Sequence, residues 1–96
     1  MTPEAKVKQK VKEWLTEIGC YWFCPVQSGF GAKTLDFLCC HQGRFFAIET
    51  KALGKQPTKY QNLVANLMKD AGAKVYVIDS EHELDRVRRL IEFGEG

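Results

Sequence analysis

Asp36, Glu49 and Lys51 are the residues of this 96-residue chain whose types and spacing best suit catalysis. They fall in two strand-like runs, residues 34–41 and 44–51, joined by Gln42 and Gly43, a two-residue connection with glycine where a tight hairpin turn needs it. Pairing His41 with Arg44 and counting back along an unbulged ladder puts Asp36 directly opposite Glu49. Opposed side chains have Cβ atoms about 5 Å apart, and two like charges at that spacing destabilise a strand pair unless a cation compensates. Because side chains alternate with period two, Lys51 projects on the same face as Glu49. Two carboxylates beside an ammonium suit Mg2+ or Mn2+, ions that take few protein oxygens and keep waters, leaving room for a phosphate oxygen. Such an ion lowers the pKa of a bound water and polarises a phosphodiester, with Lys51 placed to orient that water or to stabilise charge on the phosphorane. The expected chemistry is phosphodiester hydrolysis. The plainer alternative is a half-exposed strand pair with solvated acids and a Lys51–Glu49 ion pair, which a bulge or a different turn would produce. If repulsion between the acids dominates, Asp36→Ala should fold and gain stability without metal.

Four further residues are candidates. Glu4 shares a helical stripe with Val7, Val11, Leu15 and Ile18, which points it toward the core side and makes it a possible metal ligand, direct or through water; favourable interaction with the helix dipole is the plainer account. Gln61 lies at the edge of the apolar stripe of a second helix, within reach of the rim of the same site. Lys55 and Lys59 flank the start of that helix and could bind DNA phosphate together with free backbone N–H groups, or simply be solvated.

The elements that must position these residues follow from periodicity. Thr2 before Pro3 reads as an N-cap followed by a first-turn proline, opening a helix that runs to about Gly19. On it, Lys6, Lys8, Lys10 and Lys12 spread over both flanks and read as solvated. Tyr21 to Val26 reads as a strand, and Ser28, Gly29 and Gly31 as a flexible loop. The hairpin strands are apolar on both faces, which predicts a place in the middle of a covered sheet. Pro57 is expected to open the second helix, with Tyr60, Leu63, Val64, Leu67, Met68 and Ala71 along one stripe before Gly72 ends it. Lys74 to Ile78 is a further strand. Ser80 with Glu83 forms a capping box for a last helix carrying Leu84, Val87 and Ile91. The order α-β-β-β-α-β-α implies an α/β fold, a sheet with helices packed against it.

Composition narrows the remaining options. The length supports one domain, residues 1–96, and 45% hydrophobic with 27% charged residues is ordinary for a globular chain. No apolar run approaches the roughly 20 residues that span a bilayer, and MTPEAKVKQK lacks the apolar core of a signal peptide, so no membrane association is expected and the chain is expected inside the cell. A net charge of +2 leans toward polyanions without establishing nucleic-acid binding. The cysteines, Cys20, Cys24, Cys39 and Cys40, lack zinc-ribbon spacing; Cys39 and Cys40 should point to opposite faces of a strand, and reduced, mostly buried thiols are expected. His41 and His82 read as surface residues, and Gly29-Phe30-Gly31 is not a phosphate-cradling motif, so no nucleotide cofactor is indicated. Trp22, Phe23 and Phe93 are candidates for a partner surface, although aromatics of this kind are more often core.

Gly31-x4-Asp36, Glu49-Thr50-Lys51, Gln61 opening a helix and Glu4 in the first helix together resemble the virus-type replication-repair nuclease (VRR-NUC) domain of the PD-(D/E)xK superfamily, over essentially the whole chain. The resemblance implies a restriction-endonuclease-like mixed central sheet flanked by helices. It implies Asp36 and Glu49 as metal ligands helped by the Thr50 carbonyl, Glu4 as the first-helix acid, Lys51 as the catalytic lysine and Gln61 as the active-site glutamine. Thr34-Leu35-Asp36 stands where many members have Pro-Asp, a departure that touches backbone shape and no ligand. Stand-alone members are similar to phage and bacterial enzymes that act as homodimers on branched DNA such as four-way junctions, which would place this chain in the cytoplasm of a bacterial or phage-infected cell. The competing expectation is a nucleic-acid-binding module that keeps the fold and cuts nothing.

Overall fold

The computed structural model describes residues 1–26 and 34–94; the loop read at Ser28, Gly29 and Gly31 lies outside the described residues. The first helix, α1 (Pro3–Glu17), starts where Thr2 Oγ1 accepts from the Ala5 N–H at 3.1 Å. It ends at a cap on Ile18, with Gly19 at φ 72° in the left-handed conformation that glycine adopts without a Cβ penalty. Strand β1 (Tyr21–Phe23) is shorter than expected, since the extended pairing stops at Phe23 rather than Val26.

Strands β2 (Phe37–His41) and β3 (Arg44–Thr50) pair antiparallel through the expected turn: Gln42 and Gly43 have φ of 49° and 78°, positive at both central positions, as the tight hairpin requires. Helix α2 (Lys59–Asp70) begins two residues later than its proline suggested. Pro57 precedes the N-cap, which is Thr58, and Thr58 and Gln61 exchange backbone-to-side-chain bonds in a full capping box. Strand β4 (Lys74–Ile78) lies parallel to β3, and α3 (Glu81–Glu92) starts from Ser80, whose Oγ accepts from the Glu83 N–H. The sheet order is β1-β2-β3-β4, so the hairpin strands are central as expected. Among the described residues no helix is long and apolar enough to cross a membrane.

The two faces of the sheet are covered unequally. Val11, Trp14 and Leu15 of α1 and Leu84, Val87 and Ile91 of α3 pack over Phe37, Cys39, Phe46, Ile48 and Ile78 in one large core. On the opposite face α2 contributes Val64, with Ala65 and Met68 beside it, over Leu35, Ala47 and Val75. The α2 stripe therefore divides: Val64 is buried, whereas Tyr60, Leu63 and Leu67 are 43%, 54% and 61% exposed. Cys39 is buried and Cys40 exposed, as alternation along β2 demands, and all four cysteines are free. Phe23 and Phe93 are exposed, while Trp22 is half-buried and donates its indole N–H to Thr16 Oγ1 at 3.2 Å. Two of the four α1 lysines are not simply solvated: Lys10 pairs with Glu81 of α3, and Lys8 reaches Asp36.

Candidate active site

The register Phe37↔Ile48 would place Asp36 opposite Glu49 if continued by one pair, but β2 begins only at Phe37. The Asp36 N–H instead donates to Glu49 Oε1 at 3.1 Å, so a backbone group satisfies one oxygen of the neighbouring acid. Asp36 Oδ2 in turn accepts from the Thr50 N–H at 3.0 Å and the Thr50 hydroxyl at 2.7 Å. These bonds tie together the start of β2 and the end of β3. They also fix both carboxylates with little freedom to rotate, the preorganisation that electrostatic catalysis needs.

The second oxygen of each acid faces an ammonium. Lys51 Nζ is 3.9 Å from Glu49 Oε2, and Lys8 Nζ is 3.8 Å from Asp36 Oδ1. Glu49 is 3% exposed and Thr50 fully buried, so the pair sits at the wall of the protein rather than out on a solvated strand. Burial raises the Glu49 pKa from 4.5 to about 7, and the nearby Asp36 charge pushes the same way, against the Asp36 N–H bond and Lys51. A carboxylate held near its titration point at neutral pH gains from a cation more than a solvated one does.

Asp36 and Glu49 open onto a cleft of about 340 Å³ that is also lined by Lys8, Thr34, Tyr60, Gln61 and Val64. The structure thus gathers Asp36, Glu49 and Gln61 along one cleft, while Lys51 lies against Glu49 without lining it. Gln61 enters with its Oε1 engaged by the Thr58 N–H at 2.9 Å, so its first role is to cap α2. Glu4 does not line the cleft; the α1 residue that does is Lys8, one helical turn further on. Among the described residues no cluster of three or more His, Cys, Asp or Glu side chains is placed to hold an ion, so Glu4 does not complete a three-acid set with Asp36 and Glu49. Lys55 and Lys59 are exposed and outside the cleft. Gly31 of the sequence motif lies outside the described residues.

Lys8 and the Thr50 side chain are the participants that sequence reasoning missed. The resemblance implies a role for the Thr50 carbonyl, yet its N–H and hydroxyl are what bind Asp36; a hydroxyl residue between two charged residues of a central strand is the available signal. Nothing local distinguished Lys8 from its neighbours.

The donor set fits a hard divalent cation. Each acid has one oxygen anchored by neighbouring N–H or O–H groups and one directed toward positive charge, and oxygen ligands completed by water are what Mg2+ and Mn2+ prefer. No family model and no curated protein matches the chain. A solved structure described as a VRR_NUC domain is similar to it, with a TM-score of 0.77 at 24% identity, covering 96% of this chain and 97% of that one. At that identity the likeness establishes the fold, and the chemistry rests on the site.

Proposed function

Given a VRR_NUC-type fold along almost the full chain, we propose that this protein is a divalent-metal-dependent endodeoxyribonuclease. The observation that carries the proposal is the pair of anchored acids that line a common cleft, each with one oxygen turned to an ammonium. In this reading Asp36 and Glu49 hold Mg2+ or Mn2+, with the Thr50 carbonyl as a further donor and Glu4 contributing at most through water. The ion supplies Lewis-acid polarisation of the phosphate and a more acidic water. Lys51 orients the attacking water and stabilises charge on the phosphorane, Thr50 keeps Asp36 in place, and Gln61 lines the cleft where the strand enters. Lys55 and Lys59, exposed at the start of α2, contact DNA outside the cleft.

Branched DNA as the preferred substrate goes with a homodimer, because one site per chain cuts one strand and a four-way junction needs two coordinated cuts. An apolar surface exposed among the described residues supports such a dimer. Tyr21, Phe23, Leu38, Cys40 and Phe45 line a groove on the α2 face of the sheet, and Phe45 continues it to Met68, Ala71 and Ala73. Leu67 and Leu63 follow Ala71 at four-residue spacing along α2 and are exposed. Aromatic side chains bury 150–250 Å² each, so these residues offer roughly 500 Å², most of the about 800 Å² per partner in a standard interface.

The test is incubation of purified protein with four-way, flapped and linear DNA in Mg2+, Mn2+ or EDTA, beside Asp36→Ala and Lys51→Ala. Metal-dependent product from the parent alone supports the reading. Equal activity in parent and variants would trace it to a contaminant, and binding without cleavage in every buffer would establish a DNA-binding module instead. Sedimentation should give a dimer that Phe45→Glu converts to monomer.

A further inference from the structure

Lys51 has an expected role, whereas Lys8, on a different layer of the fold, has none. Its Nζ lies 3.8 Å from Asp36 Oδ1, beyond the 2.7–3.2 Å of a formed N–H···O bond. The contact is therefore an electrostatic one that leaves the ammonium's donors available. The Lys8 side chain is 36% exposed against 16% for Asp36, so its head sits at the mouth of the cleft with room to swing outward on a flexible stem. Lys12, one turn later and half-buried, lies close enough for both ammoniums to bear on the Cys24 thiol, which places two positive charges in sequence along one flank of α1.

Asp36 Oδ1 is also the oxygen left for a cation once Thr50 has taken Oδ2. One carboxylate oxygen cannot serve an ammonium and a divalent ion equally, since the two cations repel at that distance. An ammonium displaced at the mouth of the cleft can be received by a phosphate of a bound strand. We infer that Lys8 is a second active-site lysine, which competes with the divalent ion for Asp36 and passes to a DNA phosphate when the ion binds. The inference rests on the nuclease reading and adds to it a substrate-binding residue and a coupling: DNA and metal each make room for the other by drawing on the same side chain.

The experiment compares the parent with Lys8→Met, Lys8→Arg and, as a surface control, Lys6→Met. Mn2+ affinity is measured by calorimetry without DNA. DNA affinity is measured across a salt series in Ca2+. Lys8→Met should bind Mn2+ more tightly, by up to about fivefold, the upper end for a partly exposed ion pair. It should bind DNA more weakly, with the salt slope reduced by about one. Lys8→Arg should restore both, and Lys6→Met should match the parent in Mn2+ affinity. A purely structural lysine would not move metal and DNA affinity in opposite directions. Unchanged Mn2+ affinity or an unchanged salt slope in Lys8→Met overturns the inference alone, whereas a parent that takes up no Mn2+ overturns the metal reading and this inference with it.

Discussion

Phe45 and Phe46 are adjacent on β3 and face opposite sides of the sheet, and between them they define the two halves of this molecule. Phe46 is 1% exposed beneath α1 and α3, stacked edge-on against Tyr76 with ring centroids 6.0 Å apart. Phe45 is 48% exposed on the side where, among the described residues, α2 is the one helix that packs. The first face is closed by two helices whose apolar residues fill it, and it contributes most of the hydrophobic stabilisation. The second carries a smaller core, Glu49 and an exposed apolar strip. A small domain can keep Glu49 buried beside Asp36 because the first face supplies the stability that their burial and repulsion consume.

The largest test of this division is Phe46→Ala against Phe45→Ala. The first should cost about 3–5 kcal/mol in chemical denaturation, as truncation of a buried aromatic does. The second should stay within about 0.5 kcal/mol for the monomer, while lowering the dimer fraction in sedimentation. Comparable losses in both would mean that the α2 face is as well packed as the other.

Next in size are Asp36→Ala and Lys51→Ala, each expected to lower cleavage on the order of 10²-fold or more. Here the structure changes a stability expectation. Relief of a like-charge pair predicted a gain for Asp36→Ala, but Asp36 Oδ2 accepts two bonds from fully buried Thr50. Its loss strands a buried N–H and hydroxyl, a cost of about 1–3 kcal/mol, so a lower melting temperature is expected. Thr50→Val, which keeps the N–H and removes one bond to a charged group, should cost about 1.5 kcal/mol and reduce cleavage less than Asp36→Ala does. An unimpaired Thr50→Val would detach the anchoring bonds from catalysis.

The smallest expected effect is in pH. Because the folded-state pKa of Glu49 is raised from 4.5 to about 7, the folded protein binds the proton more tightly than the unfolded chain. That contribution is fully present below about pH 4.5 and is lost as pH rises to about 7. In EDTA the melting temperature should therefore show a downward component across this window that is absent in Glu49→Gln, and Mn2+ should recover it in the parent. A parent and Glu49→Gln with parallel pH profiles would argue against the buried, repelled carboxylate.

Much of the fold was legible from local pattern. Thr2-Pro3 and Gly19 bound α1, and Gln42-Gly43 specifies a hairpin of definite register, which would set Asp36 opposite Glu49 if it ran one pair beyond Phe37 and Ile48. The exchange of bonds between them was not legible, because it depends on β2 beginning only at Phe37 and freeing the Asp36 N–H. Pro57 alone does not fix the start of α2, because proline suits both a first turn and the segment before a cap; the Thr58–Gln61 box decides the boundary. The same box explains why Gln61, read as a site residue, is held first by the helix it begins.

The amino-acid order by itself determined which residues alternate across each strand and where each helix starts and stops, because these depend on backbone periods and on neighbours a few positions away. Only the tertiary structure decided that Lys8 rather than Glu4 lines the cleft, that Tyr60, Leu63 and Leu67 remain exposed while Val64 is buried, and that Lys10 meets Glu81. Those outcomes depend on how a helix is rotated about its own axis and how far along that axis it sits as it docks. Both are set by the sum of side-chain contacts with strands distant in sequence, and a stripe on one helix fixes neither.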